Sequence, residues 1–344
     1  MKISSKLTDG LCCSDAATVA AFIAQAGQPP FRAKQIIEWV FKKLTLNPDA
    51  MLNLPKGLRE RLKTELTCCS SQVETAESTA DGTTKLLIRL SDGEAVEMVL
   101  IPVPGRMTFC LSTQVGCPVR CRFCASGMDG LVRNLKAHEI VEQVFHGAER
   151  HGGLPDNLVF MGIGEGLLNF DNLARSLEII TGPEYIGMSP RRLTVSTSGY
   201  VPGIRQLAEL DKPFTLAVSL HAVDDVVRAK LIPDELRFPL ADILAACDYY
   251  RVQIGRMVTF EYTLLANIND RTEDAEQLAR LATKHHAKIN LIPYNETAAA
   301  FKRPPDNVIS SFRNVLEKSG ANVTLRMEKG AGKAAACGQL RASR

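Results

Sequence analysis

The sequence predicts an α/β protein preceded by a small helical domain. Three observations carry this reading. From Gly105 onward, strand-like and helix-like runs alternate. Over residues 1–66 the apolar pattern is helical. Between the two lies a hairpin signal, Ser91-Asp92-Gly93, flanked by extended apolar stretches. Alternating strands and helices imply a parallel sheet with right-handed crossovers. About six such units fit either a partial barrel or a doubly wound sheet, and both place ligands at the C-terminal strand ends.

Taken in order, Ala16–Ala26 is a helix opened by Ser14-Asp15 and ended by Pro29-Pro30. Phe31 to Lys43 is strongly amphipathic, with Phe31, Ile36, Ile37, Val40 and Phe41 largely on one side. Leu54-Pro55 starts a third helix, with proline where it is tolerated. Trp39, the only tryptophan, reads as core more than as a base-stacking platform. Strands over 84–90 and 94–101 form the hairpin. The expected division is thus 1–70 helical domain, 71–104 β-hairpin bridge and 105–344 core. In the core, strands are expected over 106–113, 157–161, 192–197, 214–219, 257–264, 288–293 and 322–327. Helices are expected over 137–150, 171–180, 239–251, 272–285 and 305–319.

A chain of 344 residues can hold one large and one small domain. No apolar run approaches the ~20 residues of a membrane span, and the N-terminus lacks an apolar signal core. A cytoplasmic protein is expected. Ten cysteines in such a chain suggest metal binding or catalysis more than disulfides. The adjacent pairs Cys12–Cys13 and Cys68–Cys69 have poor disulfide geometry, and Cys247 reads as core. Eight Lys/Arg against three Asp/Glu fall between Arg32 and Lys63, and nine against three between Lys302 and Arg344. Two basic ends suit a polyanion, or equally a pair of solvated helix faces.

The densest chemistry lies between Cys110 and Cys124. Cys117, Cys121 and Cys124 stand at C-x3-C-x2-C spacing, so a short loop can turn three thiolates to one point. Thiolates suit an iron–sulfur cluster or zinc. Three ligands leave one iron of a [4Fe–4S] cluster open, whereas structural zinc would need a distant fourth ligand. Polar residues recur at the other strand ends: Gly162-Ile-Gly-Glu-Gly166, Ser196-Thr-Ser-Gly199, Ser219-Leu-His221 and Pro293-Tyr-Asn295. Gly162 and Gly164 do not complete a dinucleotide fingerprint, because Leu167 stands at the last glycine position. An acid beside close-approach glycines suits a ligand ammonium instead. His285-His286 reads as a surface pair at a helix end.

The cysteine run resembles that of radical S-adenosylmethionine enzymes. Its flanks, Cys110-Leu-Ser-Thr-Gln-Val-Gly-Cys117 and Ala335-Ala-Cys-Gly-Gln-Leu340, resemble the ribosomal-RNA adenine methyltransferases of the RlmN/Cfr type. The likeness runs from about residue 29 to 340. It departs at Gly166, where the family has proline, and at Ala331, Gly332, Lys333 and Ala334, where the family has acidic residues. The resemblance implies a partial (β/α)6 radical S-adenosylmethionine barrel. It implies that Cys117, Cys121 and Cys124 hold a [4Fe–4S] cluster. Gly164, Glu165, Ser196, Ser219, Leu220, His221 and Asn295 would line the S-adenosylmethionine pocket.

The same resemblance implies methylation of adenine C2 in 23S ribosomal RNA (adenosine 2503 in the family), and of adenosine 37 in transfer RNA. C2 carries no usefully acidic proton, so polar methyl transfer to it is disfavoured and radical chemistry is required. On the resemblance, one S-adenosylmethionine would methylate Cys337, and a second would yield a deoxyadenosyl radical that takes a hydrogen from that methyl group. The carbon would then add to the adenine, Glu97 would remove the ring proton, and Cys110 would release the product through a transient disulfide with Cys337. A paired adenine hides C2, so the RNA is single-stranded or looped. Arg32, Lys34, Lys42 and Lys43 would grip its phosphates. An electron donor such as flavodoxin and a monomeric state are also expected. The same chemistry at adenine C8, and a non-catalytic iron–sulfur or zinc RNA-binding module, are the alternatives.

Overall fold

The computed structural model describes residues 10–297, 299–326, 330 and 334–341. Its first elements are α1 (Ala16–Gln25), α2 (Phe31–Ile37) and α3 (Lys56–Glu65). Asp15 caps α1 by accepting a hydrogen bond from the Thr18 amide at 2.7 Å. The amphipathic run from Phe31 does not stay α-helical. Glu38–Lys42 widens into a π turn, in which the Lys43 amide reaches back to the Glu38 carbonyl at 3.0 Å. The turn buries Val40 and Phe41 together and leaves Trp39 half exposed against the core.

Three antiparallel strands follow: β1 (Gln72–Ser78), β2 (Thr84–Arg89) and β3 (Ala95–Val103). β3 pairs with β4 (Arg106–Cys110), so they continue the core sheet. A small antiparallel pair, β5 (Gln114–Gly116) and β6 (Leu131–Asn134), brackets the cysteine loop. Gly116 is obligatory there, because a Cβ would lie 2.0 Å from the Gly130 carbonyl oxygen.

The core then alternates as expected: α4 (Ala137–His151), β7 (Asn157–Phe160), α5 (Phe170–Thr181), β8 (Leu193–Thr197), α6 (Val201–Glu209), β9 (Thr215–Ser219), α7 (Asp225–Leu231), α8 (Leu240–Ile254), β10 (Thr259–Leu264), α9 (Thr272–Lys284), β11 (Lys288–Pro293), α10 (Asp306–Lys318) and β12 (Val323–Leu325). β4, β7, β8, β9, β10, β11 and β12 are parallel neighbours in that order. Six crossovers join these seven strands, giving a partial (β/α)6 barrel that ends in a short last strand. Leu158, Val195, Leu216, Phe260 and Leu291 are fully buried in it. α6 and α7 were not expected. The first opens on Val201-Pro202, and Asp224 caps the second through the Val227 amide at 2.7 Å.

Several hydrogen bonds tie the helical domain to the core, the Arg175 guanidinium donating to the Cys13 carbonyl at 3.0 Å among them. The Lys42 ammonium donates to the Tyr185 carbonyl at 2.9 Å and to that of Pro183 at 3.2 Å. Buried Glu142 of α4 accepts from the Ser70 amide at 2.8 Å, the Ser70 hydroxyl at 3.0 Å and the Ser71 hydroxyl at 2.5 Å. Among the described residues no helix is long and apolar enough to cross a membrane.

Candidate active site

The strand ends build one cleft, of ≈ 1020 Å³ with its mouth included. Cys117, Cys121 and Cys124 line it together, on the loop between β5 and β6. The loop is anchored by apolar side chains. Val119 and Phe123 pack with Leu231, Leu265 and Tyr294, and the Tyr294 hydroxyl donates to the Phe123 carbonyl at 3.2 Å. Arg120 adopts a left-handed backbone (φ 55°) at the sharp bend. Gly127 must lack a side chain, since its Cβ would meet Arg120 Cα at 2.8 Å. The loop is therefore shaped by its packing, and its three cysteines line one cleft.

Opposite the thiols lie Gly164, Glu165, Ser196, Ser219, His221 and Asn295. Leu220 is fully buried and does not line the cleft. Its carbonyl instead accepts from Arg228 at 2.5 Å. The glycines approach protein more closely than the sequence reading supposed. A Cβ on Gly164 (φ 112°) would meet Gln114 Cβ at 2.7 Å, and one on Gly162 the Leu111 carbonyl at 2.7 Å. They let the turn after β7 nest against the chain after β4. Glu165 accepts from the Ser198 amide at 2.6 Å and the Leu167 amide at 3.3 Å. Burial raises its carboxyl above the usual range, and the Ser198 and Leu167 bonds oppose that rise. Gly166, the departure from the family pattern, begins a short 3-10 turn, with Thr113 Cγ2 3.3 Å from where a Cβ would stand.

His221 is also left-handed (φ 55°), and its Nδ1 accepts from the Thr263 amide at 3.0 Å. Burial lowers its pKa to about 3, so the ring is neutral and its proton sits on Nε2. Asn269 holds the bend by donating to the His221 carbonyl at 2.7 Å. Asn295 donates to the Cys337 carbonyl at 3.1 Å, while its Oδ1 is buried without a partner.

A second cavity of ≈ 510 Å³ adjoins the cleft. Cys110, the last residue of β4, and Cys337 both line it, and Cys337 lines the main cleft as well. The chain around Cys337 is fastened over the cysteine loop. The Ala125 amide donates to the Gly338 carbonyl at 2.8 Å, and the Ser126 hydroxyl to the Leu340 carbonyl at 2.7 Å. Arg341 pairs with Asp129 at 2.9 Å. The described residues after Cys337 are docked. The altered positions 331–333 lie outside the described residues. Glu97 lines neither cavity, but shares a sheet face with Val99, which pairs with Cys110. It is buried, with Oε1 2.9 Å from the Lys85 ammonium and Oε2 unpartnered. A solvent-facing glutamate is therefore excluded.

Several residues were not foreseen. Glu261 and Thr263 of β10, and Arg326 after β12, line the cleft. Their alternation with buried Phe260 and Tyr262 was a readable signal for the first two. Buried Arg228 donates to the carbonyls of Ser198, Ser219 and Leu220, tying the ends of β8 and β9 behind Cys121. Burial lowers its guanidinium to about 10, with the Cys121 sulfur acting against that. The basic residues of the helical domain are less free than expected. Arg32 donates to Gln35 Oε1 and the Asn53 carbonyl, Lys42 is the tie to the core, and Lys43 lies 3.7 Å over the Trp39 ring. Lys34 remains exposed. His285 is buried against Asp248 at 2.8 Å and only His286 is exposed. All ten cysteines are free, and Cys247 is core.

Comparison with known proteins places this geometry. The Radical SAM superfamily pattern matches residues 111–282, and the pattern of the ribosomal RNA large subunit methyltransferase N-terminal domain matches 11–68. A probable dual-specificity RNA methyltransferase RlmN of Lachnoclostridium phytofermentans is 44% identical, over 92% of this chain and 90% of its own. The chain belongs to the RlmN family of radical S-adenosylmethionine RNA methyltransferases. A relative of the same description from Akkermansia muciniphila is 41% identical over 93% of this chain and 92% of its own. The crystal structure of a radical SAM methyltransferase from Sphaerobacter thermophilus superposes with a TM-score of 0.92 at 42% identity. It covers 97% of this chain and 99% of that one. The superfamily uses a [4Fe–4S] cluster and S-adenosylmethionine. The residues present fit both groups. Three soft donors on one loop lining the cleft suit the cluster, and the orphaned Asn295 Oδ1 and the Glu165 carboxyl offer acceptors to an ammonium beside it.

Proposed function

We propose that this protein methylates C2 of an unpaired adenine, in 23S ribosomal RNA and in transfer RNA, by way of a methylated cysteine. The observation that carries it is the placement of Cys110 and Cys337 on one cavity that opens into the cleft of the three-cysteine loop. A non-catalytic module would have no use for two further thiols there. When bound, the cluster and S-adenosylmethionine supply a radical able to take a hydrogen atom from a methyl group.

The chain's residues do the rest. Cys117, Cys121 and Cys124 hold the cluster. Glu165 and Asn295 orient the amino end of the cofactor, and Ser196, Ser219 and His221 line its site. Cys337 accepts a methyl group through its sulfur and presents the carbon to the adenine. Glu97 takes the proton from the ring, using the oxygen that Lys85 leaves free, while the adduct radical gives up one electron to an acceptor that the cluster would supply when bound. Cys110 then attacks the Cys337 sulfur. A sulfur–sulfur bond forms, the sulfur–carbon bond breaks, and the carbon keeps the electron pair and gains a proton. Exposed Lys34 and the basic C-terminal stretch offer phosphate contacts. The reduction needs an electron donor such as flavodoxin, and the protein acts as a cytoplasmic monomer.

The test is a pair of variants. Cys337→Ala abolishes methylation, whereas Cys110→Ala accumulates a covalent protein–RNA adduct that migrates with RNA on denaturing gels. An active Cys110→Ala enzyme without adduct would remove Cys110 from the reaction. Product with a methyl group at C8 would favour the alternative position.

A further inference from the structure

The side cavity contains a conflict. Val99, Ile101, Met161, Ile292 and Leu340 make it apolar, and Cys110 is buried on its wall. Burial, helped by the Cys337 thiol, pushes the Cys110 thiol up to about 12, with the Arg326 guanidinium acting against that rise. Yet the thiolate is the nucleophile in sulfur exchange, so a neutral buried thiol would be inert. Something in the cavity has to favour the anion.

Arg326 is the one charged residue among the described residues that line this cavity. It directly follows β12, and its amide donates to the Leu291 carbonyl at 2.8 Å, which fixes its backbone at the sheet end. Its guanidinium has no hydrogen bond or ion pair with the side chains around it, among the described residues. Such a half-buried cation lining an apolar cavity would ordinarily be matched by a carboxylate. Glu261 of β10 attracts it from the same cleft without pairing with it. The remaining groups near Cys110 are the Cys337 thiol and, farther along the same sheet face, the Glu97–Lys85 pair at 2.9 Å.

We propose that Arg326 is a positioning residue for the release step, the counter-ion that lets Cys110 ionise inside an apolar cavity and attack the Cys337 sulfur. This rests on the role given to Cys110 above. The thiol proton leaves to water through the open cleft. The negative charge then stays beside the guanidinium until the sulfur–sulfur bond forms and the electron pair passes to the departing carbon.

The test reads the thiol, not turnover. Anaerobically reconstituted protein is treated with iodoacetamide across a pH series, and labelling of the Cys110 peptide is followed by mass spectrometry. Arg326→Met is expected to move the labelling profile to higher pH and slow labelling at pH 8 about tenfold, one unit of ionisation. Arg326→Lys, which keeps the charge, is expected to stay near the parent. Superposed profiles for the parent and Arg326→Met would overturn the proposal, as would equal slowing by Lys and Met. If Arg326→Met melts early, Arg326→Gln against Arg326→Lys makes the same comparison. Methylation of RNA by the parent preparation is measured alongside. An inactive parent with a shifted Arg326→Met profile would count against the proposed function and leave the Arg326–Cys110 coupling standing. An active parent with unshifted profiles would count against Arg326 alone.

Discussion

Glu97 is the residue whose role depends most on its surroundings. One carboxylate oxygen is held by Lys85 and the other is buried without a partner. A buried acceptor left open is costly unless something uses it. Glu97→Gln keeps the shape and removes the proton acceptor. Turnover should fall by roughly 10²–10⁴, the range for a lost general base, while adduct formation with RNA persists. Single-turnover quench experiments separate the two; unchanged turnover would return Glu97 to a structural role. The three cluster cysteines were legible at this scale because their spacing is itself the chemistry. Arg326 and Arg228 were not, since a lone arginine in sequence carries no sign of which strand end it reaches. Lys42 misled in the opposite way: its charge suggested RNA, but its ammonium is spent on the carbonyls of Pro183 and Tyr185.

Among the elements, the turn after β7 shows how backbone demands shape the site. Gly164 has φ 112° and no room for a side chain against Thr113 and Gln114. Gly164→Ala should cost about 1–3 kcal/mol in backbone strain and displace Glu165, weakening S-adenosylmethionine binding. Thermal melting and equilibrium dialysis would read the two effects; an unchanged melting point and affinity would show that the loop yields freely. The long, periodic elements were legible: α4, α5, α9 and α10 fall within two residues of their expected ends. The misses have physical causes. β1 is almost wholly exposed, so no apolar alternation announced it. β5 and β6 are short and defined by partners across the cysteine loop. The π turn in the second helix arises from packing of Val40 and Phe41, which periodicity alone cannot distinguish from a continued α-helix.

At the scale of the whole molecule, the sheet collects one contribution from each end of the chain. β3 and β4 bring Glu97 and Cys110, the loop between β5 and β6 brings Cys117, Cys121 and Cys124, and the segment beyond β12 brings Arg326 and Cys337. Docking of Gly338 and Leu340 on the cysteine loop holds the segment that carries Cys337 against that loop. That arrangement predicts a methyl group that is handled twice, first on sulfur and then on carbon. The most direct test is isotopic. Anaerobically reconstituted protein is given S-adenosylmethionine carrying a fully deuterated methyl group, together with ribosomal RNA, and the methyladenosine is analysed by mass spectrometry. A methyl group built through Cys337 loses one deuterium to the radical and regains a proton on release, so C2 should carry CHD2. An intact CD3 group on the adenine would contradict the account, because it would have passed from sulfonium to ring without stopping on Cys337.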